Sequence, residues 1–400
     1  MASVRVKLRP STVCGKEGSV YYQVIHNRTV RQIRTDFRLF LSEWNARIER
    51  VNLSDADGRL LYLMSVRDQI QSDLTRLNKI IRSLDNELRY YTVSDIVNTF
   101  YQFTAEGSTF QFFEETIAHM QHLDRVRTAE TYTATFHSVR RFRQNIDLPL
   151  DGITSELVKR YEIYLKQHGA RKNTISFYMR IFRAVYNRAV ERGYIDQKHP
   201  FTRVFTGIER TVKRAIPLHT VMRIKRCDLS DSPGMAYARD LFLFSFYTRG
   251  MSFVDIAYLR HQDLHHGRLT YTRQKTGQTL SIRWEKCMDE IVRRYAVEGS
   301  PYLFPIVTDT KNGRTQYLSA LHRTNYHLKN LAERLQLKHS LTMYVARHSW
   351  ASAARSRRIP TAIISASMGH TSEETTQIYL ASLENSVIDK ANKKLLDLLR

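Results

Sequence analysis

The sequence predicts a mixed, mainly helical chain in three parts: a small N-terminal β-rich domain, a helical domain, and an α+β domain that takes up the second half. Three observations predict this order. Residues 1–50 alternate apolar and polar side chains as strands do, residues 92–192 repeat apolar positions at helical spacing, and residues from about 208 onward mix both patterns. With 400 residues the chain is long enough for two to four domains. We place the domains at residues 1–90, 91–207 and 208–400.

The first domain begins with a strand whose two faces differ in charge. Apolar residues at positions 4, 6 and 8 alternate with three basic ones, Arg5, Lys7 and Arg9. Residues 20–25 and 30–39 have the composition of two further strands. Residues 1–50 contain ten Lys and Arg against four Asp and Glu, a net charge of +6. A small basic sheet of this kind suits binding in a DNA groove, and the alternative is a solvated strand face.

A long helix is predicted to follow the sheet. Seven aliphatic residues recur between positions 63 and 88, and from Ile70 onward the steps alternate between four and three residues. This spacing is typical of a coiled-coil-like stripe. It predicts one helix that joins the sheet to the second domain, with packing inside the chain favoured over a dimerising zipper.

The second domain combines apolar helix stripes with arginine. Ser108 and Gln111 have the spacing of an N-terminal helix cap, and Gly193 ends the last helix. The aromatic residues of these stripes are expected in the core. Arginines beside two stripes leave basic helix faces suited to phosphate contact. They are Arg140, Arg141 and Arg143 on one helix, and Arg180 and Arg183 on another.

The charge of the whole chain favours a polyanionic partner, and other features exclude several classes of protein. Lys and Arg total 62 against 39 Asp and Glu, a formal net charge of +23. Three widely separated cysteines support neither a disulfide framework nor a zinc site, and they suit a reducing cytosol. No apolar run approaches the ~20 residues that span a bilayer. No zinc-protease, P-loop or dinucleotide motif occurs, so we expect no metal, cofactor or membrane.

Four features of the third domain suit cleavage of a phosphodiester without a metal. In chain order they are Lys275 at the tip of a predicted hairpin, Tyr344-x-x-Arg347-His348, Gly369-His370 and Tyr379. The reaction needs a nucleophile, cations for the charge that develops on the phosphate, and a proton for the leaving 5′ oxygen. Tyrosine can be the nucleophile, arginine can bind two phosphate oxygens at once, and lysine or histidine can move the proton.

This order of residues resembles the tyrosine recombinase family, also called the phage-type integrases. The segment from Met368 to Tyr379 is similar to the family's Gly-His and nucleophile motif, in which the tyrosine follows the histidine by nine residues. Residues 345–352, Val-Ala-Arg-His-Ser-Trp-Ala-Ser, are similar to the family's Leu-Arg-His-Thr-Phe-Ala-Thr motif. The resemblance covers the whole chain. It implies an arm-type DNA-binding sheet with a linker helix, a helical SAM-like core-binding domain, and an α+β catalytic domain.

The resemblance also implies a role for each matching residue. Tyr379 would attack the scissile phosphate and form a 3′-phosphotyrosyl link that frees a 5′ hydroxyl. Arg347 would hold the phosphate rather than form a structural ion pair, and His370 would donate to the phosphate or orient it rather than merely end a helix. Lys275 would protonate the leaving oxygen. The alternative for Lys275 is a solvated turn lysine, and the neighbouring Arg273 makes the assignment ambiguous.

Two positions depart from the family pattern. Ser252 stands where the family has an arginine in its Gly-x-Arg-x-Ser-Glu segment, while Asp255 keeps an acid at the glutamate position. Arg249, three residues before Ser252, would supply the missing charge from the loop; a DNA-backbone contact or an ion pair is the alternative. Tyr344 replaces the usual histidine, and because a phenol with a pKa near ~10 is a poor base, the acceptor of the Tyr379 proton is unassigned. Both departures resemble a bacterial branch of the family found on conjugative elements and at invertible loci.

The resemblance implies a site-specific recombinase that integrates, excises or inverts a mobile or invertible DNA element. Its domains would clamp double-stranded DNA, and a homotetramer would assemble on synapsed sites, with or without an accessory DNA-bending protein. The amphipathic tail at residues 386–400 would dock on a neighbouring subunit or on its own domain. A nucleoid-associated protein of the bacterial cytoplasm fits these expectations. Two other functions stay open: a DNA-binding regulator without cleavage, and a type IB topoisomerase, although the N-terminal arm favours a recombinase.

Overall fold

The fold is that of a computed structural model, which describes residues 2–53, 58–87, 90–209, 215–309, 312–370, 372–380 and 396–397. The chain divides into two compact units, residues 1–210 and 211–400. The first unit contains two separate hydrophobic cores, and the second has a core of its own. The three-domain division of the chain stays a prediction.

The first unit begins with a three-stranded antiparallel sheet in the order β1-β2-β3. Its strands are β1 (Ser3–Arg9), β2 (Gly18–His26) and β3 (Thr29–Leu39), so the three predicted strands are confirmed. Val6, Tyr22 and Ile33 lie opposite one another across the strands and are buried in the core. The other face therefore carries the basic residues of β1. A two-stranded ladder follows, made of β4 (Trp44–Asn45) and β5 (Arg50–Val51).

The predicted long helix is α1 (Leu60–Asn86), and its apolar stripe packs into the same core as the sheet. Leu63 and Leu77 are fully buried there. The stripe thus packs within the chain rather than forming a dimerising zipper; its last predicted position, Leu88, lies outside the described residues. α2 (Val93–Glu106) also contributes to this core.

A helical bundle forms the second core of the first unit. Its helices are α3 (Thr109–His122), α4 (Val126–Phe142), α5 (Ser155–Gln167) and α6 (Lys172–Glu191). The predicted cap of α3 is confirmed, because Ser108 Oγ accepts a hydrogen bond from the Gln111 main-chain N–H at 3.0 Å. Phe113, Tyr161 and Phe182 are fully buried, as expected for aromatic residues of the core.

The second unit combines helices with one small sheet. Its helices are α7 (Leu218–Arg226), α8 (Pro233–Tyr247), α9 (Phe253–Ala257), α10 (Lys286–Tyr295), α11 (Gly313–Arg334), α12 (Met343–Ser356), α13 (Thr361–Met368) and α14 (Glu373–Leu380). The sheet is antiparallel and contains β6 (Leu264–His265), β7 (Arg268–Thr272) and β8 (Thr279–Arg283). The predicted hairpin with Lys275 in its turn is therefore confirmed.

The helix α8 runs through the centre of the second core. Its run of residues 241–244 is apolar in sequence and buried at every position, because neighbouring helices cover α8 on several sides. None of the helices in the described ranges is both long and apolar enough to cross a membrane. The predicted tail at 386–400 lies outside the described residues, apart from 396–397.

Candidate active site

Arg347 lies at the centre of the candidate site, on α12, with 3% of its surface exposed. Its Nη1 donates to the Gly250 carbonyl at 2.7 Å, and its Nη2 donates to the Met368 carbonyl at 2.7 Å. Nη2 also lies 2.9 Å from Nε2 of His370. Two segments, the loop at Gly250 and residues 368–370, therefore hold the guanidinium in one orientation.

Gly250 allows this close approach. The loop from α8 to α9 turns through the left-handed region, with φ of +60° at Arg249 and +76° at Gly250. A Cβ atom at Gly250 would lie 2.8 Å from the Cα of Arg347, well inside van der Waals contact. Only glycine fits the turn and leaves room for the arginine.

His370 follows directly on the end of α13. Gly369 ends that helix in the left-handed conformation, with φ of +63°, and the His370 main-chain N–H donates back to the Ser365 carbonyl at 3.1 Å. The imidazole uses both nitrogens: Nε2 faces Arg347, and Nδ1 lies 2.7 Å from Oγ1 of Thr376. Burial, followed by the positive charges around the ring, lowers the pKa of His370 to about 4, so the ring is neutral at pH 7.

The hairpin that carries Lys275 is held in place by Asp255. Oδ1 of Asp255 accepts from the main-chain N–H of Gln274 at 2.9 Å, and Oδ2 accepts from the hydroxyl of Ser252 at 2.5 Å. Asp255 is 4% exposed, whereas Lys275 is exposed at the turn. The Lys275 ammonium is among the charges that, after burial, lower the pKa of His370.

Arg273 is a residue to which the sequence analysis gave no role of its own. It is 7% exposed, and its Nη1 donates to the Gly369 carbonyl. Its Nε has no hydrogen-bond partner among the described residues. Its positive charge also lowers the pKa of His370. The alternation of side chains along β7 could have indicated that Arg273 is buried. Leu269 and Tyr271 are buried on one face of β7, and Arg273, directly after the strand, continues that alternation.

The two departures from the family pattern have clear local structures. Ser252 precedes α9 and is bonded to Asp255, so this position contributes no cation. Arg249 is half-buried, and its guanidinium forms no hydrogen bond or ion pair with the residues that the structure describes. Its charge acts to lower the pKa of Tyr271, as do the charges of Arg347 and Arg273, although burial raises that pKa more strongly. Arg249 is thus near the same buried tyrosine as the other two arginines.

The two tyrosines differ in what the structure describes. Tyr344 lies on α12 three residues before Arg347, with 54% of its surface exposed, and its ring packs edge-on against His348 at a centroid distance of 4.5 Å. Tyr379 lies in α14, which packs against α12 and α13. The side chain of Tyr379 lies outside what the structure describes.

The residues predicted to bind DNA are mostly exposed. Arg5 and Arg9 are exposed on the sheet, and Lys7 forms an ion pair with Glu49 at 2.7 Å. Four arginines of the helical bundle are also exposed: Arg140, Arg141, Arg180 and Arg183.

Arg143 does not fit the prediction that it contacts DNA. It is 2% exposed, and its guanidinium donates to the main-chain carbonyls of Ser65 and Ile146 and lies 3.5 Å from Asp68. Burial lowers the pKa of Arg143 to about 10. This arginine joins α1 to the bundle, and the prediction was wrong because two of its partners, Ser65 and Asp68, lie far away in the sequence, on α1.

Within the described ranges, no group of three or more His, Cys, Asp or Glu side chains has the arrangement that could hold a metal ion.

Two family models match the chain. Residues 108–204 match the phage integrase SAM-like domain, and residues 225–386 match the phage integrase family. Together they cover more than half of the chain. The protein therefore belongs to the phage integrase family, the tyrosine-type site-specific DNA recombinases, as the resemblance implied. The narrower branch with serine in place of arginine stays a prediction.

Solved structures show the same fold at low sequence identity. A lambda integrase (75-356) dimer bound to a COC′ core site is 14% identical, with a TM-score of 0.52, over 70% of this chain and 97% of that one. A Tn1549 transposon integrase in complex with circular intermediate DNA is 14% identical, with a TM-score of 0.51, over 72% and 99%. A lambda integrase tetramer bound to a Holliday junction is 14% identical, with a TM-score of 0.52, over 88% and 94%. None of the curated proteins gives a significant match.

Proposed function

We propose that the protein cleaves and rejoins double-stranded DNA through a covalent 3′-phosphotyrosyl intermediate, and that it integrates, excises or inverts a mobile or invertible element. The observation that carries this proposal is the meeting of Arg347, Arg273 and His370 beside the hairpin tip. Guanidinium groups that are buried and bonded to main-chain carbonyls favour an anion beside them, since they lack the solvation of water. A phosphate is such an anion.

The proposed reaction assigns one step to each group. The Tyr379 oxygen attacks the phosphorus as its phenol proton passes to water, the bond to the 5′ oxygen breaks, and the DNA 3′ phosphate stays bonded to the tyrosine. Arg347 donates to two non-bridging oxygens and stabilises the charge that develops on them. His370 donates to the same phosphate, and Lys275 gives its proton to the leaving 5′ oxygen. Religation runs these steps in reverse with the 5′ hydroxyl of another strand.

Arg273 and Arg249 are the candidates for the cation that Ser252 does not supply. Arg273 is favoured by its burial, by its bond to Gly369 and by its effect on the pKa of His370. Arg249 is favoured by its position next to Gly250, whose carbonyl accepts from Arg347. Asp255 would act by placing the hairpin rather than by touching DNA, because its carboxylate is already bonded to Gln274 and Ser252. We assign Tyr344 no proton-transfer role, since it is a phenol packed on His348.

The remaining basic residues would bind duplex DNA. The exposed face of the N-terminal sheet and the exposed arginines of the bundle are suited to phosphate contact because they are cationic and accessible. Assembly into a homotetramer on two DNA sites is supported by the fold shared with the lambda integrase tetramer. An accessory DNA-bending protein stays part of the proposal.

A trapping experiment tests the proposal. Duplexes enriched from a random pool by binding to the full-length protein are nicked next to the central phosphates, so that a cleaved fragment diffuses away and the covalent adduct accumulates. We expect an adduct with the native protein and about 100-fold less with Arg347→Gln, the scale for loss of a preorganised charge donor. Arg268→Gln, which removes an exposed arginine of the same unit, is the control for lost charge and should stay within about threefold.

Three results would contradict the proposal. Tight binding to the enriched duplexes with no adduct from the native protein would favour the DNA-binding regulator. An equal adduct yield from the native protein and Arg347→Gln would remove Arg347 from the chemistry. Relaxation of supercoils without exchange of strands would favour the topoisomerase.

A further inference from the structure

We infer that Thr376 is a positioning residue that, together with Arg347, fixes the tautomer and the orientation of the His370 ring, and that it thereby couples the helix of the nucleophile to the phosphate-binding groups. The inference rests on the proposed function and deepens its account of the histidine. Thr376 is fully buried on α14, and its Oγ1 lies 2.7 Å from Nδ1 of His370. The opposite ring nitrogen, Nε2, lies 2.9 Å from Nη2 of Arg347.

The chemistry of the three side chains decides where the ring proton lies. A guanidinium nitrogen carries N–H groups only and cannot accept, so Nε2 must be the acceptor in its bond with Arg347. The single proton of a neutral imidazole then lies on Nδ1, which donates to Oγ1 of Thr376. The lowered pKa of His370 agrees with a neutral ring, since burial and then the positive charges of Arg347, Arg273 and Lys275 oppose its protonation.

Before DNA binds, the His370 ring is therefore neutral and carries its proton on Nδ1. Nε2 is unprotonated and faces the guanidinium that is proposed to hold the phosphate. When a phosphate oxygen takes the Arg347 donor, Nε2 can take a proton from solvent beside the new negative charge and donate it to that oxygen. The opposite tautomer would instead place an N–H of the ring against the N–H groups of Arg347, where the two donors repel each other.

The coupling arises from the position of Thr376 on its helix. Thr376 and Tyr379 are three residues apart in α14, and residues three apart lie on neighbouring positions of one helix face. His370 thus reaches its defined state only when α14 is docked against it. Through its hydroxyl, Thr376 makes the orientation of the His370 ring depend on the position of α14, the helix that carries Tyr379.

Two substitutions separate the hydroxyl from the packing of the side chain. Thr376→Val keeps the volume and removes the acceptor, whereas Thr376→Ser keeps the hydroxyl and removes a methyl group. We expect Thr376→Val to slow single-turnover cleavage of the nicked duplex about tenfold or more, because a buried N–H loses its acceptor. Thr376→Ser should stay within about threefold of native, and DNA affinity should be the same in all three. Thr324→Val, a buried threonine of α11, controls for the loss of a buried threonine hydroxyl elsewhere in the unit and should cleave normally.

Nitrogen-15 shifts of the histidine side chains provide a readout that needs no cleavage. In full-length protein with labelled histidine, the His370 signals are assigned by their loss in His370→Gln. We expect the Nδ1–H tautomer in the native protein and in Thr376→Ser, and a mixture of the two neutral tautomers in Thr376→Val, where the buried Nδ1–H has no acceptor and only the bond to Arg347 favours it. An Nε2–H tautomer in the native protein would overturn the inference, as would equal cleavage by Thr376→Val and native protein. If the native protein makes no adduct, the proposed function fails, and the shifts still decide the role of Thr376.

Discussion

The loop at Gly250 provides a prediction that tests how Arg347 is held. Gly250→Ala places a Cβ 2.8 Å from the Cα and 2.9 Å from the Cγ of Arg347, against an ordinary carbon contact of ~3.5–4.0 Å. The side chain and its helix must therefore give way by roughly 0.7 Å. Overpacking of this kind costs about 1–3 kcal/mol, and the left-handed backbone at φ of +76° costs an alanine about 1–2 kcal/mol more.

Gly299→Ala is a matched control for the backbone cost. Gly299 also has a φ of +76°, but nothing lies within 4 Å of the Cβ position. Both variants should lose about 1–2 kcal/mol of unfolding free energy through the backbone, and only Gly250→Ala should lose the further overpacking cost. Because misplacing a catalytic group by about 1 Å can cost about 100-fold in rate, we expect Gly250→Ala to cleave about 10-fold to 100-fold more slowly at an unchanged DNA affinity.

The assay pairs single-turnover cleavage of the nicked duplex with thermal unfolding of each variant. A native cleavage rate for Gly250→Ala would refute the reasoning, since the clash with Arg347 would then have no effect on the reaction. A rate loss in Gly299→Ala as large as that in Gly250→Ala would refute it as well, because backbone strain alone would account for both.

Three further predictions concern charges and protons. Arg273→Ala should reduce cleavage about 100-fold and Arg249→Ala less, with binding little changed in a mobility-shift assay; the reverse order would assign the missing cation to Arg249. Lys275→Ala should cleave poorly, and a substrate with sulphur in place of the leaving 5′ oxygen should restore its rate, because a thiolate leaves without a proton; failure of that rescue would remove Lys275 as the acid. Burial raises the pKa of Asp73 from 3.8 to about 6, so the folded state binds this proton more tightly. The stabilisation that this proton provides is therefore complete below pH 3.8 and is lost as the pH rises to about 6, by roughly 3 kcal/mol. Chemical denaturation of Asp73→Asn should lack this loss, and parallel pH profiles for the two proteins would contradict it.

Local periodicity predicted most of the elements. The strands of the first domain follow from alternation, and α8 follows from a run of apolar residues that only a fully covered helix can carry. The resemblance indicated Arg347 and His370 by their spacing along the chain. These features could be predicted because they depend on residues that are close in the sequence or on a motif of fixed spacing.

Other features of the site could not be predicted because they depend on distant contacts. Arg143 was grouped with its neighbours as a DNA contact, but carbonyl groups 78 positions earlier and three positions later in the chain bind it inside the first unit. Arg273 is in the site because its strand turns it toward Gly369, 96 positions away. The bond from His370 to Thr376 spans only six residues, but which ring nitrogen carries the proton depends on Arg347, whose guanidinium lies against the other nitrogen.

The most direct test of the account is to identify the residue that becomes bonded to DNA. The native protein is incubated with the nicked duplex, digested, and the peptide that carries the nucleotide is sequenced by mass spectrometry, with Tyr379→Phe as the matched variant. In the native protein we expect a nucleotide bonded to Tyr379 through its 3′ phosphate, and a free 5′ hydroxyl on the released strand. We expect no adduct with Tyr379→Phe. An adduct that persists in Tyr379→Phe, or one that maps to another residue, would contradict it.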